Sequence, residues 1–363
     1  MHDPALDRLP ADVAAQLVAL VEAVTPLDDE LLRRAEAHHD RLTKPRGSLG
    51  RLEALGAQLC AIAGEVPPPV PDQPVVAVFA ADHGVLAEGV SPWPQEVTGQ
   101  MVLNFCAGGA AINAMARRLG ARVAVIDVGV ATTLPDHPAL HRRTIRNGTA
   151  NLAQGPAMTL AEAAAAVLVG ADTAATLVAE GADLLVGGDM GIGNTTASAA
   201  VIGACTGRDA AAVTGRGTGI DDGVLARKQQ VVADAMARAA GASPLEVLAE
   251  VGGLEIAALA GFLLGAAGLE VPVVLDGVIT LAAACIASGL CPSLPPRLIA
   301  GHRSTEPGAS VALAWLGVEP LIDLGLRLGE GSGAALAAPL VQAAAAVMAE
   351  MATFDAAGVA DKG

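Results

Sequence analysis

Five short runs, apolar but for Asp127 in the second and each followed by a longer stretch of helical character, constrain the fold of this chain most. They are residues 75–80, 123–128, 184–186, 271–275 and 298–300. A strand that is apolar at every position has to be covered on both faces. Such strands alternating with helices predict an α/β fold, with a parallel sheet and helices on both sides.

Several runs end in residues with chemical potential: Asp82-His83-Gly84, Asp127, Gly187-Gly188-Asp189, Asp276-Gly277 and Gly301-His302-Arg303. Ligands of open parallel sheets bind outside the carboxyl ends of the strands, so these residues fall where a site belongs. Residues 11–65 carry helical periodicity and charge, and Pro67-Pro68-Pro69-Val70-Pro71 closes that region. Residues 334–351 form an Ala-rich helical stretch with Pro339 in its first turns. This predicts an α/β core over residues 71–327. A small helical lobe would be built from residues 1–70 and 328–363.

The 363 residues, 53% of them hydrophobic, suffice for a large core, and the formal charge of −16 argues against nucleic acid or an anionic membrane as partner. A small anionic substrate would then be held locally, by backbone N–H groups and a few basic side chains. Cys60, Cys106, Cys205, Cys285 and Cys291 lack C-x-x-C spacing, so free thiols in a reducing cytoplasm are expected rather than a structural zinc site. The start, Met1-His2-Asp3-Pro4, lacks the apolar core of a signal peptide. Gly, Pro or charges interrupt the apolar runs before about 20 residues, so no membrane span is expected.

The stretch Gly187-Gly188-Asp189-Met190-Gly191-Ile192-Gly193-Asn194-Thr195-Thr196 reads as strand, glycine turn, helix. Glycines admit close backbone approach, Asn194, Thr195 and Thr196 are suited to cap the new helix, and a helix start attracts phosphate. A second glycine turn, Thr214-Gly215-Arg216-Gly217-Thr218-Gly219, is followed by Lys228. It is either another face of a phosphate site or a solvated turn with a surface Lys. Glu330 stands alone among glycines in Leu328-Gly329-Glu330-Gly331-Ser332-Gly333. A ligand closing over it would raise its pKa, and the helix start beside it would lower it; a base or a plain surface acid are both open. After Asp82-His83, the residues Trp93, Gln100 and Met101 could wall a flat apolar pocket. No third ligand accompanies Asp82-His83, so no metal is expected there.

Together these segments resemble the nicotinate-nucleotide–dimethylbenzimidazole phosphoribosyltransferase family of cobalamin biosynthesis. The resemblance rests on Lys44-Pro45-Arg46-Gly47-Ser48-Leu49-Gly50-Arg51-Leu52-Glu53, Ala80-Ala81-Asp82-His83-Gly84-Val85 and Gly191-Ile192-Gly193-Asn194-Thr195-Thr196. Asp276-Gly277, Gly301-His302-Arg303-Ser304 and Leu328-Gly329-Glu330-Gly331-Ser332-Gly333 complete it. They keep the family's order across nearly the whole chain. Asp189 departs from the pattern, standing where the family carries Glu.

The resemblance implies a Rossmann-like sheet, a homodimer and a reaction: nicotinate mononucleotide plus 5,6-dimethylbenzimidazole gives α-ribazole 5′-phosphate and nicotinate. It implies Glu330 as catalytic base, with inversion at the anomeric carbon. Gly188, Asp189, Gly191, Ile192, Gly193, Asn194, Thr195, Thr196, Gly215, Gly217, Gly219 and Lys228 are then expected at the phosphoribosyl group. Asp82, Trp93, Gln100, Met101 and Leu328 are expected at the base. No cofactor or metal is expected. Two other readings are a Mg²⁺-dependent ribosyl-diphosphate transferase using Asp221 and Asp222, and a non-catalytic nucleotide-binding protein of the same fold.

Overall fold

The computed structural model describes residues 3–360; Met1 and His2 of the chain start, and residues 361–363, lie outside the described residues. Six strands form one sheet: β1 (Pro74–Ala81), β2 (Arg122–Gly129), β3 (Leu140–Arg142), β4 (Leu184–Met190), β5 (Val273–Leu275) and β6 (Leu298–Ala300). All pair in parallel, in the order β3-β2-β1-β4-β5-β6. The five expected strands are present. Edge strand β3 was not foreseen, because its three residues are largely exposed and lack an apolar run.

Every residue of β1 is buried. Val75, Ala77 and Phe79 enter the larger core on one face, where Phe79 meets Phe262 edge-on at 5.4 Å. Val76, Val78 and Ala80 enter a second core on the other face, with Ala338 and Val341 of the C-terminal helix Ser332–Glu350. The strand period of two thus sends successive side chains into two separate cores. Truncating Phe79 to Ala would cost about 3–5 kcal/mol.

The strand order reverses at β1. The chain runs outward through β2 and β3, then returns to place β4 on the other side of β1. That reversal opens a crevice beyond the carboxyl ends of β1 and β4, the usual ligand position in such sheets. Asp82-His83 follows β1 there, and residues 191–196 follow β4.

Helices Leu160–Ala179 and Leu254–Gly268 pack backbone against backbone. A Cβ on Gly170 would lie 1.7 Å from the Ala258 carbonyl oxygen, and one on Gly261 would lie 1.8 Å from that of Val167. Leu160–Ala179 and Ser332–Glu350 are long and apolar enough, by length and composition alone, to cross a bilayer. This corrects the expectation that apolar runs break too early. Alanines and glycines sustain these helices, and each buries a face in the protein core. Pro339 lies inside the second helix, not in its first turns, because the helix begins at Ser332. It faces solvent, where water can serve the carbonyl that loses its partner.

The termini meet across the molecule. Helices Asp29–Arg41 and Arg51–Ala63 contribute Ala35, Ala57 and Cys60 to a small core with Met348. His38 Nε2 lies 2.9 Å from the Met348 carbonyl oxygen. The first helix, Ala11–Glu22, sends Leu17 into the larger core instead.

Candidate active site

Glu330 sits in a run of left-handed backbone: Gly329 has φ 82°, Glu330 64° and Gly331 86°. For glycine this is free; for a residue with a Cβ it costs about 1–3 kcal/mol. The strain is held by what lies beneath. A Cβ on Gly188 would stand 2.6 Å from the Glu330 carbonyl oxygen, so β4 carries glycine to let this turn lie on it. The strand therefore continues through Gly187, Gly188 and Asp189 to Met190, and the turn expected at Gly187 begins only at Gly191.

Asp276, just beyond β5, holds the other side. Its carboxylate accepts the N–H groups of Gly331 at 3.3 Å, Gly333 at 2.7 Å and Ala334 at 3.0 Å. The Glu330 side chain is buried, and Oε2 accepts the Ile112 N–H at 3.2 Å. Burial pushes its pKa above the ordinary carboxylate value; the Ile112 N–H opposes this, and the charge of Asp276 adds to it. The opposing N–H comes from the helix Ala111–Leu119 rather than from the helix that follows Glu330, and burial prevails.

The first glycine turn is built differently from expectation. Gly193 at φ 98° is itself the helix N-cap, with no side-chain cap. Asn194 and Thr195 are engaged elsewhere. Asn194 Nδ2 donates to Asp189 Oδ2 at 3.0 Å, and Thr195 Oγ1 accepts from Lys228 Nζ at 2.8 Å. Thr196 is fully buried, and its hydroxyl lacks a partner among the described residues. The Ile192 N–H is tied to Thr98 Oγ1 at 3.1 Å.

Lys228 joins the two glycine turns. It lies on the helix Asp222–Arg238 but is 1% exposed, which overturns the surface-Lys alternative. Its Nζ also donates to the Gly215 carbonyl at 3.1 Å. Burial lowers its pKa to about 8, and Glu306 pulls the other way. Glu306 Oε1 accepts the Gly217 N–H at 2.8 Å. Beside these groups is a cavity of about 390 Å³ lined by Thr214, Gly215, Arg216, Gly217, Gly219 and Arg327, among others. Asp221 caps the helix through the Val224 N–H and Asp222 pairs with Arg216, so both acids are already engaged.

The chain as a whole is similar to known proteins. The family model described as phosphoribosyltransferase matches residues 24–359. The nicotinate-nucleotide–dimethylbenzimidazole phosphoribosyltransferase of Salinispora tropica is 54% identical over 356 residues, covering 94% of this chain and 98% of the relative. That of Thermus thermophilus is 53% identical over 334 residues, covering 92% and 99%. The crystal structure of CobT from Thermus thermophilus superposes with a TM-score of 0.89 at 53% identity, over 92% of this chain and 100% of that one. The chain belongs to the nicotinate-nucleotide–dimethylbenzimidazole phosphoribosyltransferase family. It is a pentosyltransferase with the α/β fold of that family.

Within this phosphoribosyltransferase fold, the residues assigned to a base pocket occupy several environments. Asp82 is fully buried at the end of β1, where Oδ2 accepts the Ala131 N–H at 2.8 Å and burial raises its pKa. Trp93, Gln100 and Leu328 are exposed, and Met101 is half-buried against the second core. Asp189 is buried; burial first, then the charges of Asp276 and Glu255, raise its pKa well above the ordinary value. Among the described residues no three His, Cys, Asp or Glu side chains converge as a metal site would require.

Sequence reasoning missed the roles of Asp276, Glu306, Thr98 and the His83–Glu255 pair. His83 Nε2 and Glu255 Oε1 are 2.6 Å apart and wholly buried. The available signal was Glu255 itself, an acid inside the apolar run of the helix Leu254–Gly268.

Proposed function

We propose that this enzyme transfers the 5-phosphoribosyl group of nicotinate mononucleotide to 5,6-dimethylbenzimidazole, releasing nicotinate and forming α-ribazole 5′-phosphate. The substrates follow from the names of its relatives. One observation carries the chemistry: a buried carboxylate, held in strained backbone at the sheet's switch point, with its pKa raised. A base poised closer to neutrality than an ordinary Glu suits an acceptor that must lose a proton as it attacks.

In the reaction Glu330 takes the N–H proton of the imidazole ring, while the other ring nitrogen attacks the anomeric carbon. The bond from that carbon to the pyridinium nitrogen breaks, and its electron pair neutralises the nicotinate ring. Attack opposite the leaving group inverts the centre, which gives the α-linkage. Lys228, Thr195 and the glycine turns around Gly191–Gly193 and Gly215–Gly219 support binding of the 5′-phosphate through a cation, a hydroxyl and main-chain N–H groups. Holding both substrates together supplies much of the rate. The ribosyl-diphosphate reading is less well supported, because Asp221 and Asp222 are spent on a helix cap and an ion pair.

The test is nicotinate release. Nicotinate should appear only when the mononucleotide and the benzimidazole are both present, and should persist in EDTA. Turnover requiring ribosyl diphosphate and Mg²⁺ would overturn the proposal.

A further inference from the structure

The helix Ser332–Glu350 begins without a capping side chain of its own, because its N-cap is Gly331. A distant residue, Asp276, takes the N–H groups of Gly331, Gly333 and Ala334. It lies one residue beyond β5, is 1% exposed, and reaches the turn from below. A Cβ on Gly333 would collide with the His302 ring, and His302 Nε2 lies 3.4 Å from Asp276 Oδ1. The Glu330 turn is thus gripped by Gly188 of β4, by Asp276 after β5 and by His302 after β6. An ordinary helix start needs one capping side chain; here a fully buried charge from another strand supplies three contacts.

We propose that Asp276 is a positioning residue for Glu330: by binding the N–H groups on its carboxyl side, it fixes the left-handed turn that aims the base. This rests on the reading of Glu330 as the base. The charge of Asp276 also contributes to Glu330's raised pKa. The other groups facing Glu330 are the Ile112 N–H and Asp189, whose own pKa is raised well above the usual value. Asp276 therefore acts twice, on the placement of the carboxylate and on the pH at which it ionises.

The sign of the second effect is definite. A general base works ionised, so the acid limb of kcat/KM follows its pKa. Removing the charge of Asp276 lets Glu330 ionise at lower pH.

The experiment measures nicotinate release by Asp276→Asn and Asp276→Glu against pH, with thermal unfolding followed in parallel. Asp276→Asn should lower kcat by about ten- to a hundred-fold, leave the KM for nicotinate mononucleotide nearly unchanged, and move the acid limb to lower pH. Asp276→Glu keeps the charge but displaces it, so kcat should fall while the limb stays. It carries the test alone if the Asn variant does not fold. A folded Asn variant with an unmoved limb, or a Glu variant with full kcat, would overturn the inference. Glu330→Gln separates the two readings. Near-normal turnover in Glu330→Gln defeats the base itself; an inactive Glu330→Gln beside an unaltered Asp276→Asn defeats only the role of Asp276.

Discussion

Two buried acids lie on opposite faces of β4 and live under opposite conditions. On the face of Gly187, toward the helix Leu254–Gly268, Glu255 is locked to His83 at 2.6 Å. On the face of Gly188, Glu330 has no basic partner among the described residues; its near neighbours in charge are Asp276 and, beyond it, Asp189. The first acid is compensated and sits in relaxed helix. The second is uncompensated and sits in strained backbone. Strain and unbalanced charge at one residue are what a protein keeps only where the arrangement is used, whereas a closed ion pair needs no substrate to satisfy it.

The comparison breaks most readily at Glu330. Glu330→Gln should lower turnover by about 10²–10⁴-fold with the melting temperature nearly unchanged. Glu330→Gly should be as inactive, yet more stable by about 1 kcal/mol, since glycine takes φ 64° without strain. Loss of stability in both variants with retained turnover would make Glu330 a structural residue.

Glu255 should behave in the reverse way. Glu255→Gln leaves buried His83 without its counter-charge and should cost about 3–5 kcal/mol in chemical denaturation. Burial alone would lower the His83 pKa, but Glu255 outweighs it, so the folded value is raised. The contribution is then fully present below the unfolded value of about 6.5 and is lost as pH rises through the folded one. The stability gap between wild type and Glu255→Gln should narrow as pH rises; a gap that widens would mean that the pair is not ionic.

Lys228 extends the contrast to a buried cation whose hydrogen bonds leave it to serve an anion. Lys228→Met should raise the KM for nicotinate mononucleotide by about ten-fold or more, as expected for a lost charge-assisted bond to phosphate. In the wild type, substrate binding should weaken above pH 8, where Lys228 with a pKa of about 8 loses its proton. A KM that ignores both changes would take Lys228 out of the phosphate site. The smallest effect belongs to Thr98, whose hydroxyl accepts the Ile192 N–H in the first glycine turn and also hydrogen-bonds the Asp82 carboxylate. Thr98→Val should cost about 1 kcal/mol and change turnover little.

The sheet was legible in the sequence because β1, β2, β4, β5 and β6 each carry a compact apolar run set between helical stretches. Edge strand β3 was not, since pairing with β2 along one edge asks for no apolar pattern. Glu330 was legible because a lone acid among glycines is rarely a packing choice. The partners of the turn were not, because contacts between residues 276 and 331–334, or between 188 and 330, are made by folding and leave no local spacing. Lys228 shows the same limit from the other side: its neighbours in sequence, Arg227 and Gln229, look solvated, while the helix turns Lys228 inward to Thr195 and Gly215.

The most direct measurement is a crystal structure with nicotinate mononucleotide and 5,6-dimethylbenzimidazole both bound to Glu330→Gln. The residue 330 side chain should lie about 2.6–3.2 Å from one imidazole nitrogen, with the other nitrogen facing the anomeric carbon. A complex in which that side chain points away from the heterocycle, with another acid in hydrogen-bond reach, would contradict the assignment of the base.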